Sequence, residues 1–198
     1  MKRLIIATTN KGKLREYENL LGGLGVKLEG LDVFEGLAEP VEDGDSFQEN
    51  AEIKARDYAL WTEEWVLADD SGLEVNALGG APGVNSARFG GADSGYDRKM
   101  NSLLDSLSST GDRTARFVCV IAVAGPDGAI AATSIGECRG TIANVPRGSN
   151  GFGYDPLFIP EGHVRTFGEM NDEEKRSLSH RGRAAEEIIR KLLDFIGV

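Results

Sequence analysis

The 198-residue sequence is poor in cysteine and has no long apolar run. Its two cysteines, Cys119 and Cys138, are too few for a disulfide-stapled fold, so we expect a reducing compartment and a cytoplasmic protein. The N-terminus lacks the charged and then apolar pattern of a secretory signal. No apolar stretch approaches the roughly 20 residues that span a bilayer, so no membrane partner is expected.

Positive charge is also scarce. The chain has 22 lysines and arginines against 32 aspartates and glutamates, which gives a formal net charge of −10. Such a surface repels the nucleic-acid backbone, so a nucleic-acid partner is not expected either. An anionic ligand would need a local cluster of cations or a metal ion. Length and composition are those of a globular protein, and we expect a single domain over residues 1–198.

Short apolar runs alternate with segments of helical periodicity, which predicts an α/β fold with a mixed sheet. Strands are expected at 4–8, 26–30, 65–68, 116–124 and 130–142, the last two joined by a Gly-Pro-Asp-Gly turn. Helices are expected at 14–21, from the capping box Ser46-Phe47-Gln48-Glu49 through Tyr58, at 96–107, and from about Asp172 with a break near 179–181.

The first candidate site is the acidic segment Asp69-Asp70-Ser71-Gly72, interpreted as a turn directly after a buried strand. Adjacent carboxylates raise each other's pKa unless a cation neutralises them, and their hard oxygens suit Mg²⁺. One of the two carboxylates can then deprotonate a water molecule. The alternative is a solvated structural turn in which Asp69 caps a backbone amide.

The second candidate is the segment Thr8-Thr9-Asn10-Lys11-Gly12-Lys13, which joins the first strand to the first helix. Its hydroxyl, amide and ammonium groups near a helix N-terminus suit a phosphate. It is not a P-loop, because the spaced glycines and the Gly-Lys-Ser/Thr ending are missing. Lys54 lies one helical turn after Asn50 and is a further candidate. Ordinary solvated lysines are the alternative.

Two later segments carry groups suited to a planar base. In Gly151-Phe152-Gly153-Tyr154-Asp155-Pro156, glycines flank a ring that can stack, and Asp155 can accept hydrogen bonds from ring N–H groups. In the segment 175–182, His180 and Arg181 offer donors to a base carbonyl. The alternatives are a tight turn with Phe152 in the core for the first segment and helix capping for the second.

Six blocks in order resemble the inosine/xanthosine triphosphate pyrophosphatase family over nearly the whole chain. They are Ala-Thr-Thr-Asn-Lys-Gly-Lys (7–13), Ser-Phe-Gln-Glu-Asn-Ala (46–51) with Lys54, Ala-Asp-Asp-Ser-Gly-Leu (68–73), Leu-Gly-Gly-Ala-Pro-Gly-Val (78–84) with Ser86-Ala87-Arg88, Gly-Phe-Gly-Tyr-Asp-Pro (151–156), and Lys175 with Ser-His-Arg (179–181). The resemblance implies hydrolysis of ITP, dITP and XTP to the monophosphate and pyrophosphate, with Mg²⁺ as cofactor. It also implies a homodimer of elongated, two-lobed α/β subunits, each with a highly twisted mixed sheet flanked by helices and an active-site cleft between the lobes.

The resemblance also implies roles for single residues. Asp70 is the general base and a metal ligand, while Thr8 to Lys13, Lys54 and Ser71 contact the triphosphate. The base is bound by Phe152, Gly153, Tyr154, Asp155, Lys175, His180 and Arg181. Hypoxanthine and xanthine carry a 6-oxo acceptor for His180 or Arg181, whereas adenine presents an amino donor that leaves such donors unpaired.

The predicted metal site departs from the family pattern. Many relatives have two glutamates before the Thr-Gly that precedes the capped helix, and the first binds the metal, whereas the run here is Pro40-Val41-Glu42-Asp43-Gly44. Glu42 is therefore the predicted second ligand, with Glu39 and Asp43 as alternatives. The role of Asp69 stays open between water-mediated metal binding and holding the turn.

Two other functions remain open at this point. One is a pyrophosphatase for a different modified nucleotide, because few substitutions can change a base-reading pocket. The other is a regulatory module that binds a nucleotide without turnover. The acidic segment disfavours the second possibility, because a pure binder would not need Asp70.

Overall fold

The computed structural model describes residues 3–91 and 94–196, whose contacts divide the chain into two compact units. Unit 1 comprises the segments Met1–Asp70, Cys119–Gly136 and Arg181–Val198, and unit 2 comprises Ser71–Val118 and Glu137–His180. Within the described residues the secondary structure is mixed, with six strands in one sheet and five α-helices. The α/β class predicted from the sequence is confirmed.

The strands are β1 (Arg3–Ile6), β2 (Lys27–Gly30), β3 (Val66–Val75), β4 (Thr114–Ala124), β5 (Ile130–Ile142) and β6 (Phe158–Pro160). The helices are α1 (Lys11–Leu21), α2 (Phe47–Thr62), α3 (Tyr96–Ser106), α4 (Asp172–Leu178) and α5 (His180–Ile196). The sheet order is β2-β1-β3-β4-β5-β6. Strand β1 is parallel to both β2 and β3, whereas β5 and β6 are antiparallel, so the sheet is mixed as predicted.

The core of unit 1 joins the elements that carry the predicted phosphate-binding residues. Its buried apolar side chains come from β1, α1, β3, β4 and α5, and they include Leu4, Ile6, Tyr17, Leu21, Leu67, Ile121, Ala185, Ile188 and Leu192. The contributions of α5 recur every three to four residues, which places them on one face of the helix. Since these elements share one core, the start of α1, the middle of β3 and the start of α5 are held by the same packing.

Aromatic rings dominate the core of unit 2. The ring of Phe158 lies 4.7 Å from that of Phe117 and 5.2 Å from that of Phe167, measured between centroids. Leu73 and Val75 of β3 and Leu103 of α3 complete the same buried cluster. This core supports the segment 151–156 and helix α4, which carry the predicted base-binding residues.

The capping box predicted at the start of α2 is confirmed. The Ser46 hydroxyl accepts a hydrogen bond from the Glu49 amide at 3.2 Å, and Glu49 Oε2 accepts one from the Ser46 amide at 3.1 Å. Each side chain therefore satisfies a backbone N–H group that the first helical turn leaves without an intrahelical partner.

Replacing Ser46 by alanine is expected to lower the free energy of unfolding by about 1 kcal/mol, because the Glu49 amide loses its acceptor. Urea denaturation of the two proteins measures this difference. Ser177→Ala is the matched control, since the exposed Ser177 hydroxyl donates only to the Glu174 carbonyl of its own helix. A loss at Ser46 no larger than at Ser177 would show that the cap does not stabilise α2.

The predicted acidic turn is wrong. Residues Asp69 to Gly72 lie inside β3, which continues to Val75, and Asp69 and Asp70 are both buried. Leu73 and Val75 keep the strand attached to the core of unit 2. The carboxylates are tolerated in a buried strand because lysine and arginine side chains from distant parts of the chain pair with them, as described below.

Cys119 and Cys138 are both buried, and neither takes part in a disulfide within the described residues. In the part of the chain that the structure describes, no helix has the length and apolarity needed to cross a membrane.

Candidate active site

The segment from Thr8 to Lys13 leads from β1 into the first turn of α1, which begins at Lys11. Asn10 is the N-cap: its Oδ1 accepts hydrogen bonds from the amides of Gly12 at 2.8 Å and Lys13 at 3.2 Å. The Thr8 hydroxyl in turn accepts one from the Asn10 amide at 3.1 Å. Three amides at this helix terminus are thus satisfied within the protein, which leaves the side chains of Lys11 and Lys13 as the main groups for an anion.

The same segment borders a cavity of about 680 Å³ within unit 1. Thr8, Thr9, Asn10 and Lys11 line part of it, and the remaining wall comes from Leu14, Arg15, Glu18, Leu31, Asp32, Phe34, Gly36, Leu37, Glu39 and Tyr58. This volume is in the range of small-molecule sites. The carboxylates of β3 do not line it, so the cavity accounts for only part of the predicted phosphate site.

Asp69 is held by cations from two helices. Its Oδ2 lies 2.9 Å from Lys13 Nζ of α1 and 3.4 Å from Arg181 Nη2 of α5, and its side chain is 1% exposed. Burial alone would raise the pKa of this carboxyl, but the charges of Lys13 and Arg181 outweigh burial and hold the pKa well below its ordinary value. Asp69 is therefore ionised in the fold at neutral pH.

Asp70 has a different environment. Its Oδ1 lies 3.5 Å from Lys54 Nζ, and its Oδ2 lies 3.4 Å from Asn50 Nδ2. Burial raises the pKa of Asp70; Lys54 and Lys13 oppose the rise, whereas the carboxylates of Glu42 and Asp69 add to it. The pKa of Asp69 is thus lowered and the pKa of Asp70 is raised. Opposite shifts in neighbouring carboxyl groups are typical of acid–base sites.

Glu42 lies close to the same cluster. Its Oε2 is 2.9 Å from Lys54 Nζ, so one ammonium group contacts both Glu42 and Asp70. Glu39 and Asp43, the alternatives weighed from the sequence, are both exposed. Glu42 and Asp70 thus both contact the Lys54 ammonium group, and a positive charge is favourable beside these two carboxylates.

The cluster fits Mg²⁺. No group of three or more His, Cys, Asp or Glu side chains placed to hold a metal occurs within residues 3–91 and 94–196. Mg²⁺ does not need such a group, because it commonly binds through one or two carboxylates and completes its shell with water and substrate phosphates. Glu42 and Asp70 supply two hard oxygen donors, and both contact the ammonium group of Lys54.

In unit 2, Asp155 anchors the segment 151–156 through a buried ion pair. Its Oδ2 accepts hydrogen bonds from Lys175 Nζ and from the Phe152 amide, each at 2.7 Å. Gly151 has a φ of +72°, and a Cβ there would clash with the Asp155 carboxylate. The sequence predicts that Asp155 accepts hydrogen bonds from a base, whereas in the structure Asp155 Oδ2 accepts them from Lys175 and from the Phe152 amide.

The Lys175 ammonium also lies 4.8 Å from the centroid of the half-buried Phe152 ring, in a cation–π arrangement. Tyr154 is 3% exposed, and its hydroxyl donates to the Ser86 carbonyl at 3.1 Å. Gly153, which lies between Phe152 and Tyr154 in the sequence, has a φ of +67°. Within unit 2, therefore, Lys175 and Phe152 are in contact while the Tyr154 side chain holds the loop from inside.

His180 begins α5 and stacks on Phe117, with ring centroids 4.7 Å apart and planes inclined by 13°. Its neighbour Arg181 belongs to unit 1, where Nη1 lies 2.5 Å from Glu16 Oε2. Sequence reasoning missed Glu16 and the pairing of Arg181 with Asp69. The only signal was the placement of Glu16 three residues after Lys13 on one helix face.

Cys119 is a further residue beside Asp69 that the sequence did not single out. Its Sγ lies 3.8 Å from Asp69 Oδ2 and 3.8 Å from the Tyr17 hydroxyl. Burial, together with the charge of Asp69, raises the pKa of the Cys119 thiol to about 12. The thiol is therefore neutral and unsuited to nucleophilic chemistry.

The mixed sheet and the lysine–carboxylate cluster on β3 place the chain among α/β proteins with a charged site on a central strand. Comparison with known families then identifies it: the profile of the Ham1 family matches residues 4–191, and the chain belongs to this family.

Similar proteins cover nearly the whole chain. The dITP/XTP pyrophosphatase of Nostoc sp. is 48% identical over 192 residues, which are 96% of this chain and 94% of that protein. The dITP/XTP pyrophosphatase of Syntrophobacter fumaroxidans is 50% identical over 188 residues, covering 95% and 81%. A solved HAM1 protein from Coxiella burnetii has a TM-score of 0.89 at 39% identity, covering 98% and 100%. The family resemblance found in the six sequence blocks is confirmed.

Proposed function

We propose that this chain hydrolyses dITP, XTP and ITP to the nucleoside monophosphate and pyrophosphate, and so removes deaminated purines from the nucleotide pool. Its membership of the Ham1 family and its similarity to proteins named dITP/XTP pyrophosphatases support this activity. The observation that carries the chemistry is the group that Asp70 forms with two lysines, Lys13 and Lys54, and two further carboxylates, Glu42 and Asp69.

The proposed reaction begins with Asp70. Its carboxylate takes a proton from a water molecule, whose oxygen attacks the α-phosphorus. The bond between the α-phosphorus and the oxygen bridging to the β-phosphate then breaks, and pyrophosphate leaves with the bonding electrons. Lys13 and Lys54 are positioned to stabilise the negative charge of the phosphates.

Mg²⁺ is the proposed cofactor, with Asp70 and Glu42 as its ligands. When bound, it supplies positive charge to the phosphate oxygens and acts as a Lewis acid. The remaining phosphate contacts in the proposal are Ser71 and the segment from Thr8 to Lys13. The proposal takes residues 1–198 as one domain, as the length predicts, that works as a homodimer, as the family resemblance implies. The low cysteine content favours the cytoplasm as its location.

Base selection is the second part of the proposal. Phe152 stacks on the purine, and donors from Lys175 and His180 bind its oxo groups, with Gly153, Tyr154 and Asp155 shaping the segment. Arg181, which the sequence predicts as a third donor, is bound instead by Glu16 and Asp69 of unit 1. The contact between Lys175 and Phe152 supports a site for an electron-rich ring. Donors without an acceptor would disfavour adenine strongly.

A panel of nucleoside triphosphates with Mg²⁺ tests the activity. We expect pyrophosphate release from dITP, XTP and ITP, with ATP and dATP slower by about 10² or more, because adenine leaves buried donors unpaired. Separate assays for pyrophosphate and orthophosphate identify the bond that is cleaved.

Each other outcome of the panel overturns a stated part of the proposal. Orthophosphate release would place the cleavage at the β–γ bond. Activity confined to a different modified nucleotide would keep the reaction and change the substrate. Nucleotide binding without turnover would favour the regulatory module.

A further inference from the structure

Asp69 lies in a row of four alternating charges within unit 1, whose side chains are linked by three contacts. Lys13 and Glu16 are three residues apart on α1, Asp69 is on β3, and Arg181 is on α5. Asp69 Oδ2 contacts Lys13 Nζ at 2.9 Å and Arg181 Nη2 at 3.4 Å, and Arg181 Nη1 contacts Glu16 at 2.5 Å. This row of charges therefore joins three elements and contains two positive and two negative side chains.

The four charged side chains of this row differ in how deeply they are buried. The side chains of Asp69 and Arg181 are each 1% exposed, whereas those of Lys13 and Glu16 are 16% and 25% exposed. The two inner members are thus fixed in the core, and Lys13 is the cation that reaches toward solvent. Arg181 is held from both sides by carboxylates, and its guanidinium lies 5.8 Å from the centre of the Tyr17 ring.

The position of Asp69 argues against a direct catalytic role. Its Oδ2 is already bound by two cations, and the Cys119 thiol also lies 3.8 Å from it. Its other oxygen, Oδ1, is buried and makes no hydrogen bond with the residues that the structure describes. Asp70, next along the strand, is the more exposed of the two and faces Lys54 instead.

We propose that Asp69 is a positioning residue, whose carboxylate, backed by Arg181, holds the Lys13 ammonium in the orientation that the α-phosphate requires. This inference rests on the proposed function, because it assigns Lys13 to the substrate phosphates. A lysine has a long flexible side chain and can bind a phosphate in many poses. Fixing its ammonium before the substrate arrives places the charge where it is needed in the transition state.

If Asp69 positions Lys13, Asp69→Asn should affect phosphate affinity and kcat differently. Asp69→Asn removes a negative charge beside Lys13, so the affinity for a polyanion should stay the same or increase. The ammonium loses its anchor, however, so kcat should fall by about 10²-fold, the effect expected for a charged group displaced by about 1 Å. Isothermal titration with inorganic tripolyphosphate in EDTA measures the affinity, and pyrophosphate release from dITP measures kcat.

A double-mutant cycle tests whether Asp69 acts through Lys13. Lys13→Met alone should weaken tripolyphosphate binding and lower kcat. In the Lys13→Met background, Asp69→Asn should change kcat by no more than about threefold, since coupled residues are not additive. An Asp69→Asn effect of equal size in both backgrounds would overturn the proposal.

Asp69→Glu is the second variant, because it keeps the negative charge that Arg181 needs and is expected to fold even if Asp69→Asn does not. It moves the carboxylate by one methylene group, so kcat should fall while tripolyphosphate affinity stays unchanged. Full activity of Asp69→Glu would overturn the positioning role. A higher Mg²⁺ concentration for half-maximal activity, at unchanged kcat, would assign Asp69 to the metal and overturn it as well.

The two proposals fail in different ways. If the wild-type protein releases no pyrophosphate from dITP, XTP or ITP, the proposed function is wrong. If it does, and Asp69→Asn loses affinity and turnover to the same extent, only the positioning role is wrong.

Discussion

Asp70→Asn is expected to slow pyrophosphate release by about 10³-fold, the loss typical of removing a general base. The substitution keeps the shape of the side chain and removes its ability to accept a proton from water. Nucleotide binding should survive, because Lys13 and Lys54 remain. Single-turnover measurements with dITP give the rate, and equilibrium titration in EDTA gives the affinity.

Stability provides an internal check on this variant. Because the fold raises the pKa of Asp70, the protein disfavours its ionised form relative to the unfolded chain, so a neutral amide should not lower the free energy of unfolding. Asp57→Asn is the matched control, since Asp57 is an exposed aspartate on α2 of the same unit and should leave the rate unchanged. Near-normal hydrolysis by Asp70→Asn would show that another group is the base.

Lys175→Met is expected to have the largest effect on stability, a loss of about 3 to 5 kcal/mol. Lys175 and Asp155 are 4% and 2% exposed, and their charged atoms lie 2.7 Å apart. Removing the lysine leaves a carboxylate buried without its counter-ion. Urea denaturation measures the loss, and the double variant Lys175→Met/Asp155→Asn should recover much of it because the isolated charge is removed.

The exposed ion pair of Arg165 with Glu174 supplies the comparison for this prediction. Its charged atoms lie 2.5 Å apart, but the two side chains are 49% and 38% exposed, so water screens the interaction. Arg165→Met should therefore change the unfolding free energy far less than Lys175→Met does. Equal losses for the two variants would mean that water reaches the Lys175 pair and that burial does not set its strength.

Features of the fold that depend on neighbouring residues were predictable from the sequence. The capping box at Ser46, strand β5 at Ile130–Ile142 and the helix break before His180 all follow from local chemistry, and all are confirmed. Turn residues, caps and apolar periodicity act over a few positions, so one stretch of sequence contains the whole signal.

The electrostatics of the site were not predictable in the same way. Asp69 to Gly72 reads locally as an acidic turn, yet it is a strand because Lys13 and Arg181 neutralise Asp69 from far along the chain. Arg181 is 112 residues from Asp69 in sequence, and no local pattern reports such a pairing. The site residues themselves were found through family motifs, and their individual roles remain predictions.

The division of the chain between the two units has a consequence for how this protein can change. The chain passes from one unit to the other four times, and two of these passages fall at Asp70–Ser71 and His180–Arg181, inside the candidate motifs. Neither unit is therefore a continuous stretch of the gene. A single recombination event cannot exchange one unit for that of a relative without splitting the other, so we expect functional chimaeras to need several crossovers placed within the site itself.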